Sequence, residues 1–172
     1  MINSIKTIVK LSKIKPEDIK TILDITTIRT GERKYAINFD KIIPEPMEES
    51  ECPDEYKLNK DTHIEILTER KWFNWHKWHM DYWGTMWEAY NCYTNVGKTY
   101  IMFIFHTAWT VPIPIIKKLS VLGYPIDVKY ASEEYGITCG KLKYTREQGW
   151  KHWNSLDMKD PIRFARDLWN NY

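Results

Sequence analysis

The 172-residue sequence lacks the features by which several classes of protein are recognised. Its three cysteines are far apart and form no CxxC pair, so the sequence predicts free thiols in a reducing compartment and no disulfide framework. No apolar run approaches the roughly 20 residues that a membrane helix needs. The first ten residues contain no apolar stretch of the kind found in signal peptides. We therefore expect a cytoplasmic protein with no membrane partner.

Common catalytic and metal-binding signatures are also missing. The sequence has no HExxH, GxSxG or GxGxxG motif and no complete P-loop. His76 and His79 form an HxxH pair that His106 can join, but a metal centre needs three or four convergent ligands, so we interpret these histidines as structural. Glu133 and Glu134 are adjacent carboxylates at a predicted hairpin, where acid–base catalysis is the alternative to an inert turn. We expect no metal, no cofactor and no enzymatic activity.

An excess of charge of one sign is absent as well, since the net charge is only +2. Dedicated nucleic-acid-binding proteins usually have a strong basic excess, which this chain lacks. Acidic residues concentrate at 45–55, which is typical of an exposed loop; the alternative is an acidic face that imitates phosphates or enters a partner's basic groove. The candidate binding residues in this loop and in the predicted hairpin are Glu48, Glu49, Glu51, Asp54, Glu55, Glu133, Glu134 and Tyr135.

Aromatic residues, in contrast, are abundant and make up 15% of the chain. Six of the nine tryptophans lie between positions 72 and 112. Each aromatic side chain can bury roughly 150–250 Å², so this segment can supply much of a core. The alternative is a platform that stacks nucleic-acid bases. Its candidate members are Trp83, Trp87, Trp109 and Tyr135.

Hydrophobic periodicity predicts one α+β domain over residues 1–146 and a C-terminal helical extension over 147–172. Strands are expected at 4–11, 34–43, 99–107, 125–130 and 135–144. Helices are expected from residue 16, over 62–82, over 113–122 and from Pro161. The segment 85–93 can continue as a helix or become a strand, and the spacing of its apolar residues favours the helix. Gly136 and Gly140 inside the last predicted strand indicate a bulge or a close backbone approach.

Four stretches of the sequence resemble a known family. WGTMWEAY at 83–90 is similar to the pattern WGTKWNAY, and FHTAWTVPIP at 105–114 is similar to F-x-T-A-W-S-P-P-x-P. FDKIIPEP at 39–46 resembles FNKIIPMP, and YASEEYG at 130–136, followed by Gly140, resembles YADEDxGxxxG. These patterns are those of the YubB/Api-like ferredoxin-like family of small phage and plasmid proteins. The chain departs from them at Asp40, Glu45 and Val111.

The resemblance implies a ferredoxin-like fold, with a mixed or antiparallel sheet and helices packed on one face. It implies no catalytic mechanism, and its motif residues admit a structural interpretation. Trp87 and Trp109 are then expected to fill the core, Gly84 to end a helix, and the prolines to begin the next one. The residues to which we assign a structural role in this way are Trp83, Gly84, Trp87, Thr107, Trp109, Pro112, Gly136 and Gly140.

The function implied by the resemblance is that of an accessory protein, encoded by a phage or another mobile element, that acts by binding in the bacterial host. The expected target is a host defence component, as for anti-CRISPR-type inhibitors, with the protein occupying the target or its nucleic-acid-binding groove. The alternative is a module that binds nucleic acid or a nucleotide, including one that sequesters a nucleotide signal.

Overall fold

The computed structural model describes residues 3–31, 34–58, 72–135 and 137–172. Its main sheet is built from six strands: β1 (Ser4–Leu11), β4 (Tyr90–Val96), β5 (Ile101–Ala108), β6 (Ile126–Ser132), β7 (Cys139–Thr145) and β8 (Gly149–Asn154). Their order across the sheet is β4-β5-β1-β6-β7-β8, and all neighbours are antiparallel. A separate two-stranded ribbon consists of β2 (Thr27–Gly31) and β3 (Lys34–Ile37).

Among the described residues, five α-helices accompany the sheet: α1 (Ile19–Thr26), α2 (Phe39–Ile42), α3 (Trp75–Tyr82), α4 (Ile113–Lys118) and α5 (Pro161–Asn171). The succession β1-α1-β4-β5-α4-β6 is the βαββαβ arrangement of ferredoxin-like folds, with β2, β3, α2 and α3 placed between α1 and β4. The strands β7 and β8 then extend the sheet beyond β6. The predicted α+β, ferredoxin-like class is confirmed, and the sheet is antiparallel.

The period of two in β1 gives the sheet two distinct faces. Ile5, Val9 and Leu11 point to the first face, here called the core face, and none of them is exposed to solvent. Lys6 and Ile8 point to the opposite face, here called the second face. The helices α1 and α4 cover the core face, because Ile22 of α1 and Ile115 of α4 belong to the same buried cluster as Ile5.

Aromatic rings fill much of the space over the core face. Phe39 lies edge-on to both Trp83 and Phe105, with ring centroids 5.9 and 5.7 Å apart. Trp78 and Trp83 are only 3% exposed, in agreement with an aromatic core. Trp87 and Trp109, however, are exposed, and the prediction that they fill the core is wrong. Trp87 lies in the bend that follows α3, and Trp109 comes directly after the last residue of β5, so neither belongs to an element that packs on the core face.

The C-terminal helix covers part of the second face. Helix α5 begins at Pro161, as predicted, and buries Ala165 and Leu168 against Ile8 and Ile104. The helices therefore lie on both faces rather than on one, because the C-terminal helix occupies the second. The predicted division at residue 146 falls in the turn between β7 and β8, so that the first strand of the predicted extension belongs to the sheet.

Two predicted elements have a different structure. The predicted strand 34–43 is divided into β3 and α2, because the Asn38 side chain accepts a hydrogen bond from the Lys41 backbone nitrogen and caps a short helix. The predicted helix over 85–93 is wrong: these residues form a turn and the start of β4. Gly84, whose φ is 78°, ends α3 and prevents its continuation.

The other predicted elements agree with the structure over the part that it describes. Strand β1 has the predicted bounds, and β5, β6 and the helical segment 113–122 lie where they are expected. Helix α3 confirms the C-terminal part of the predicted helix 62–82, whose residues 62–71 lie outside the described residues. The last predicted strand begins later, at Cys139, and Gly136 also lies outside the described residues. Among the described helices, none is both long and apolar enough to cross a membrane.

Candidate functional site

The loops that follow α3 and β5 meet at one end of the sheet. The buried Thr85 hydroxyl donates to the Ala108 carbonyl oxygen at 3.1 Å, and the Thr110 hydroxyl donates to the Gly84 carbonyl oxygen at 2.6 Å. These bonds join the stretches 83–90 and 105–114, which carry the two tryptophan motifs. Side chains that are far apart in sequence are thus brought together by hydroxyl-to-backbone hydrogen bonds.

The hairpin between β6 and β7 reaches the same end. The Ser4 backbone nitrogen donates to the Glu133 carboxylate at 2.9 Å, and the Glu133 backbone nitrogen donates to the Ser4 carbonyl oxygen at 2.9 Å. Ser4 also pairs with Ala108, the last residue of β5. We call this region the motif end and define it by the exposed residues Trp87, Trp109, Glu133, Glu134 and Tyr135.

The stretch 39–46, which also carries the family resemblance, is hydrogen-bonded to the loop that contains Trp87. The Glu88 carboxylate, next to Trp87, accepts the Phe39 backbone N–H at 2.7 Å and the Asn38 side-chain amide at 3.2 Å. Burial raises the pKa of Glu88, and the backbone hydrogen bonds oppose that rise. The Trp83 indole nitrogen donates to the Ile43 carbonyl oxygen at 2.9 Å. The four stretches that carry the family resemblance therefore form one connected unit.

Trp87 and Trp109 are the features of this unit that core packing does not explain. Their side chains are 41% and 49% exposed. Trp109 also has φ 69°, which is rare for a bulky residue. The Trp109 backbone nitrogen donates to the Asn3 carbonyl oxygen at 2.8 Å, and the Thr107 hydroxyl donates to the Thr110 carbonyl oxygen at 2.7 Å. The surrounding bonds thus hold a strained backbone that presents an indole to solvent.

Gly84 sets the distance between the two tryptophan loops. A Cβ at this position would lie 2.6 Å from Cδ of Pro114 and 3.3 Å from the Val111 carbonyl oxygen. Pro112 is buried just before α4, and Pro114 lies in the first turn of that helix, in agreement with the expectation that the prolines begin it. Only glycine combines the positive φ with this close approach.

Gly140 is a second position of close approach. A Cβ there would lie 2.2 Å from the Tyr130 hydroxyl oxygen, so the Tyr130 ring lies directly against the glycine of the neighbouring strand. The Tyr130 hydroxyl makes a 2.8 Å hydrogen bond with Nε2 of His152. The pairing of β6 with β7 is regular here, so the glycine reflects a close approach and not a bulge.

A row of polar residues crosses the second face beside the motif end. Tyr90, His106 and Lys6 occupy adjacent strands, and His106 lies between the rings of Tyr90 and Trp169, at centroid distances of 5.7 and 5.1 Å. Burial and the charge of Lys6 lower the pKa of His106, while the charge of Glu133 opposes that effect. His106 is therefore held in its neutral form near neutral pH.

The other groups of this row serve structural hydrogen bonds. The Lys6 ammonium donates to the backbone oxygens of Trp169 and Tyr172 at the end of α5, and burial lowers its pKa. The hydroxyls of Ser4 and Tyr90 hydrogen-bond to each other. Glu133 binds a backbone nitrogen of β1 rather than a histidine ring. The hydrogen bonds of this row therefore fasten β1 to α5, β4 and the hairpin.

The predicted HxxH pair has a structural role. His76 is exposed, whereas His79 is 7% exposed and stacks on Trp83 with a centroid distance of 3.9 Å. Its ring binds the Met86 carbonyl oxygen at 2.7 Å through Nδ1 and the Glu45 carboxylate through Nε2. In the part of the chain that the structure describes, no group of three or more His, Cys, Asp or Glu side chains can hold a metal ion.

Most residues of the acidic loop 45–55 are exposed, and some of its acids stabilise the loop itself. The Glu51 carboxylate accepts the backbone N–H groups of Met47 and Glu48 at 3.2 and 3.4 Å. Asp54 pairs with Lys57 at 2.8 Å, which lowers the pKa of that exposed carboxyl. The remaining candidate residues of this loop, Glu49 and Glu55, are exposed. The loop thus has a defined local structure and presents negative charge to solvent.

Residues 86–160 match the family model described as the ferredoxin-like domain in Api92-like protein. No curated protein and no solved structure matches the chain. The matched range includes Trp87, Trp109 and the exposed residues of the β6–β7 hairpin, and it continues through β8. It omits β1, the strand that lies between β5 and β6. The match therefore supports the ferredoxin-like, Api-like resemblance for the segment that supplies most of the motif end.

Proposed function

We propose that the protein acts by binding another protein through the motif end. The observation that carries this proposal is the exposure of Trp87 and Trp109 on two loops that are hydrogen-bonded to each other. Tryptophan and tyrosine dominate the binding energy of protein interfaces, because they bury a large rigid surface. At the exposures given above, each indole leaves roughly 100 Å² for a partner to cover.

The composition of the motif end suits an interface with an apolar centre and a charged rim. A specific interface needs about 800 Å² from each partner, so the two indoles form its centre and not its whole area. Glu133, Glu134 and Tyr135 are exposed beside them and supply the rim. The complementary surface therefore presents an apolar pocket bordered by basic side chains.

The target that we propose is a host defence component, and within it a basic, nucleic-acid-binding groove. Two lines support this target. The resemblance to phage- and plasmid-encoded proteins suggests an accessory role in a bacterial host, and the exposed acids of the motif end and of the loop 45–55 complement a basic groove. Under this proposal the protein has no catalytic step, and inhibition results from occupancy.

The proposal is tested by binding measurements with a panel of purified bacterial defence effectors, CRISPR complexes first. We expect a complex with micromolar or tighter affinity and a loss of effector activity. The double variant Trp87→Ala, Trp109→Ala should weaken that complex at least tenfold. The control is Tyr93→Ala, which removes a 61% exposed aromatic side chain from β4, outside the motif end.

Two results would overturn the proposal. One is the absence of any complex at micromolar concentrations, with effector activity unaffected. The other is a complex that the double variant and the Tyr93 control weaken to the same extent, since binding would then not depend on the motif end.

A further inference from the structure

Half of the second face carries a concentration of lysines that the motif end does not use. Helix α5 crosses this face over Ala131 and Cys139, near the motif end. On the strands, the part of the face farther from that end bears five exposed lysines and one exposed acid, Asp127. These lysines are Lys10, Lys129, Lys141, Lys143 and Lys151.

The strand register places these side chains in two rows. One row runs Lys129, Lys141, Trp153 across β6, β7 and β8. The second row, two residues farther along the strands, runs Lys10, Asp127, Lys143, Lys151 across β1, β6, β7 and β8. With strands about 4.8 Å apart and residues about 3.4 Å apart, the basic area is roughly 14 Å wide and 7 Å deep at the backbone.

Pairs of lysines that lie opposite each other make this arrangement unfavourable for the stability of the sheet. Lys129 lies directly opposite Lys141, and Lys143 lies directly opposite Lys151. Directly opposed like charges destabilise a sheet. The contact of Lys143 with Asp127 is 3.8 Å long and half exposed, so it offsets little of this repulsion.

Protection of the sheet edge accounts for only part of the pattern. Lysines on an edge strand prevent unwanted pairing with other chains, and β8 is an edge strand. Lys151 therefore has this explanation. Lys10, Lys129 and Lys141 lie on interior strands, where no edge needs protection.

An exposed aromatic residue stands beside these lysines. Trp153 pairs with Lys141 on the same face and is 39% exposed. Both line a groove of about 430 Å³, together with Phe164, Met158 and Lys159. Such a groove has room for a nucleobase against an indole.

The two acids in the same groove are engaged in local structure. The Asp157 carboxylate accepts the Asn154 backbone N–H at 2.8 Å. The Asp160 carboxylate accepts the Arg163 backbone N–H at 2.9 Å. Each acid caps a neighbouring turn through one oxygen, so the groove combines an aromatic wall and lysines with two carboxylates whose positions are fixed by these caps.

We propose that the lysine face binds single-stranded nucleic acid, with the lysines contacting phosphates and Trp153 stacking on an unpaired base. A row of basic side chains with an aromatic platform is the arrangement by which proteins bind single strands without strong sequence preference. A duplex keeps its bases stacked inside and offers none to the indole. This site is separate from the motif end, so it does not depend on the proposed protein partner.

The test is fluorescence anisotropy with labelled 20-nucleotide oligo(dT) and oligo(U) over a series of salt concentrations. The quadruple variant of Lys129, Lys141, Lys143 and Lys151 to Gln should bind at least tenfold more weakly at low salt. Its log–log salt slope should become shallower by about 0.7 for each phosphate that a lysine no longer neutralises. Trp153→Ala should weaken binding about tenfold with the slope unchanged, and Trp153→Phe should restore much of it.

The matched control is the double variant Lys20→Gln, Lys117→Gln, which removes two exposed lysines from the helices on the core face and should bind as the unaltered protein does. The double variant Trp87→Ala, Trp109→Ala should also keep its affinity for oligonucleotides. The nucleic-acid test therefore stands even if the proposed protein partner does not bind. Absence of binding at protein concentrations up to about 100 μM in low salt, the weak end of non-specific affinities, would overturn the inference. So would equal weakening by the control lysines, or duplex affinity equal to that for single strands with no effect of Trp153→Ala.

Discussion

Replacement of Gly84 by alanine tests the close contact between the two tryptophan loops. Gly84 has φ 78°, where an L-residue costs about 1–2 kcal/mol more than glycine. The added Cβ would also lie 2.6 Å from Cδ of Pro114, and a proline ring cannot rotate away. Overpacking of this kind costs about 1–3 kcal/mol. The two effects together predict a loss of roughly 2–5 kcal/mol in the free energy of unfolding.

The chain offers a matched control at Gly149. Its φ is 65°, but a Cβ there would meet no atom within 4 Å, so Gly149→Ala isolates the backbone effect of about 1–2 kcal/mol. Urea denaturation followed by tryptophan fluorescence measures both variants. A Gly84→Ala variant that loses no more stability than Gly149→Ala would refute the reasoning, because the contact with Pro114 would then contribute nothing.

Three further predictions concern stability, titration and folding. Trp83→Ala should lower the free energy of unfolding, measured by urea denaturation, by about 3–5 kcal/mol, and Trp87→Ala should lower it by half as much or less. Equal losses would contradict the expectation that the buried indole contributes more to stability than the exposed one. Because burial lowers the pKa of His106 below its ordinary 6.5, the unfolded chain takes up this proton first, and stability should fall as pH drops below that value. His106→Gln should flatten the dependence of stability on pH in this range. In an NMR titration, Glu133→Gln should lower the pKa of His106 further, because the charge of Glu133 raises it; a higher pKa in this variant would contradict that effect of Glu133. A fragment of residues 86–160 should not give the dispersed NMR spectrum of a folded protein, because β5 and β6 hydrogen-bond to β1 and not to each other; a dispersed spectrum would contradict this.

Much of the fold was predictable because local and tertiary preferences agree along most of the described chain. β-branched residues mark β1, most of which is buried, and the run of apolar residues in β5 reflects a strand covered on both faces. The prolines before α4 and the glycine after residue 122 mark both ends of that helical segment. In each case the residue pattern and the final packing select the same conformation.

The segments that were predicted incorrectly are those where a distant side chain decides the local structure. Helix α2 has four residues and depends on the carboxylate of Glu88, which binds its first N–H groups from another part of the chain. Segment 85–93 contains apolar residues at helical spacing, but Gly84 ends the preceding helix and Thr85 bonds to the end of β5. The hydrophobic periodicity of a short segment does not show which distant side chains will bond to its backbone.

The exposure of Trp109 has a different cause. Continued alternation along β5 would place it, like Phe103, Phe105 and Thr107, on the core face. Its φ of 69° reverses the direction of the chain at this residue and turns the indole outward. That conformation depends on its backbone bond to Asn3, at the start of the chain. No pattern within residues 100–112 predicts it.

Two departures from local preference lie at the surface of the molecule, in the strained and exposed Trp109 at the motif end and in the opposed lysine pairs of the second face. Most of the core face obeys the sequence patterns, with Ile5, Val9 and Phe103 completely buried, although the buried Thr7 hydroxyl has no hydrogen-bond partner among the described residues. A sequence that only had to specify this fold would lose nothing by relieving the two surface departures. Because natural sequences violate local rules at functional sites, these departures support the proposals of binding at both surfaces, with the aromatic core beneath them.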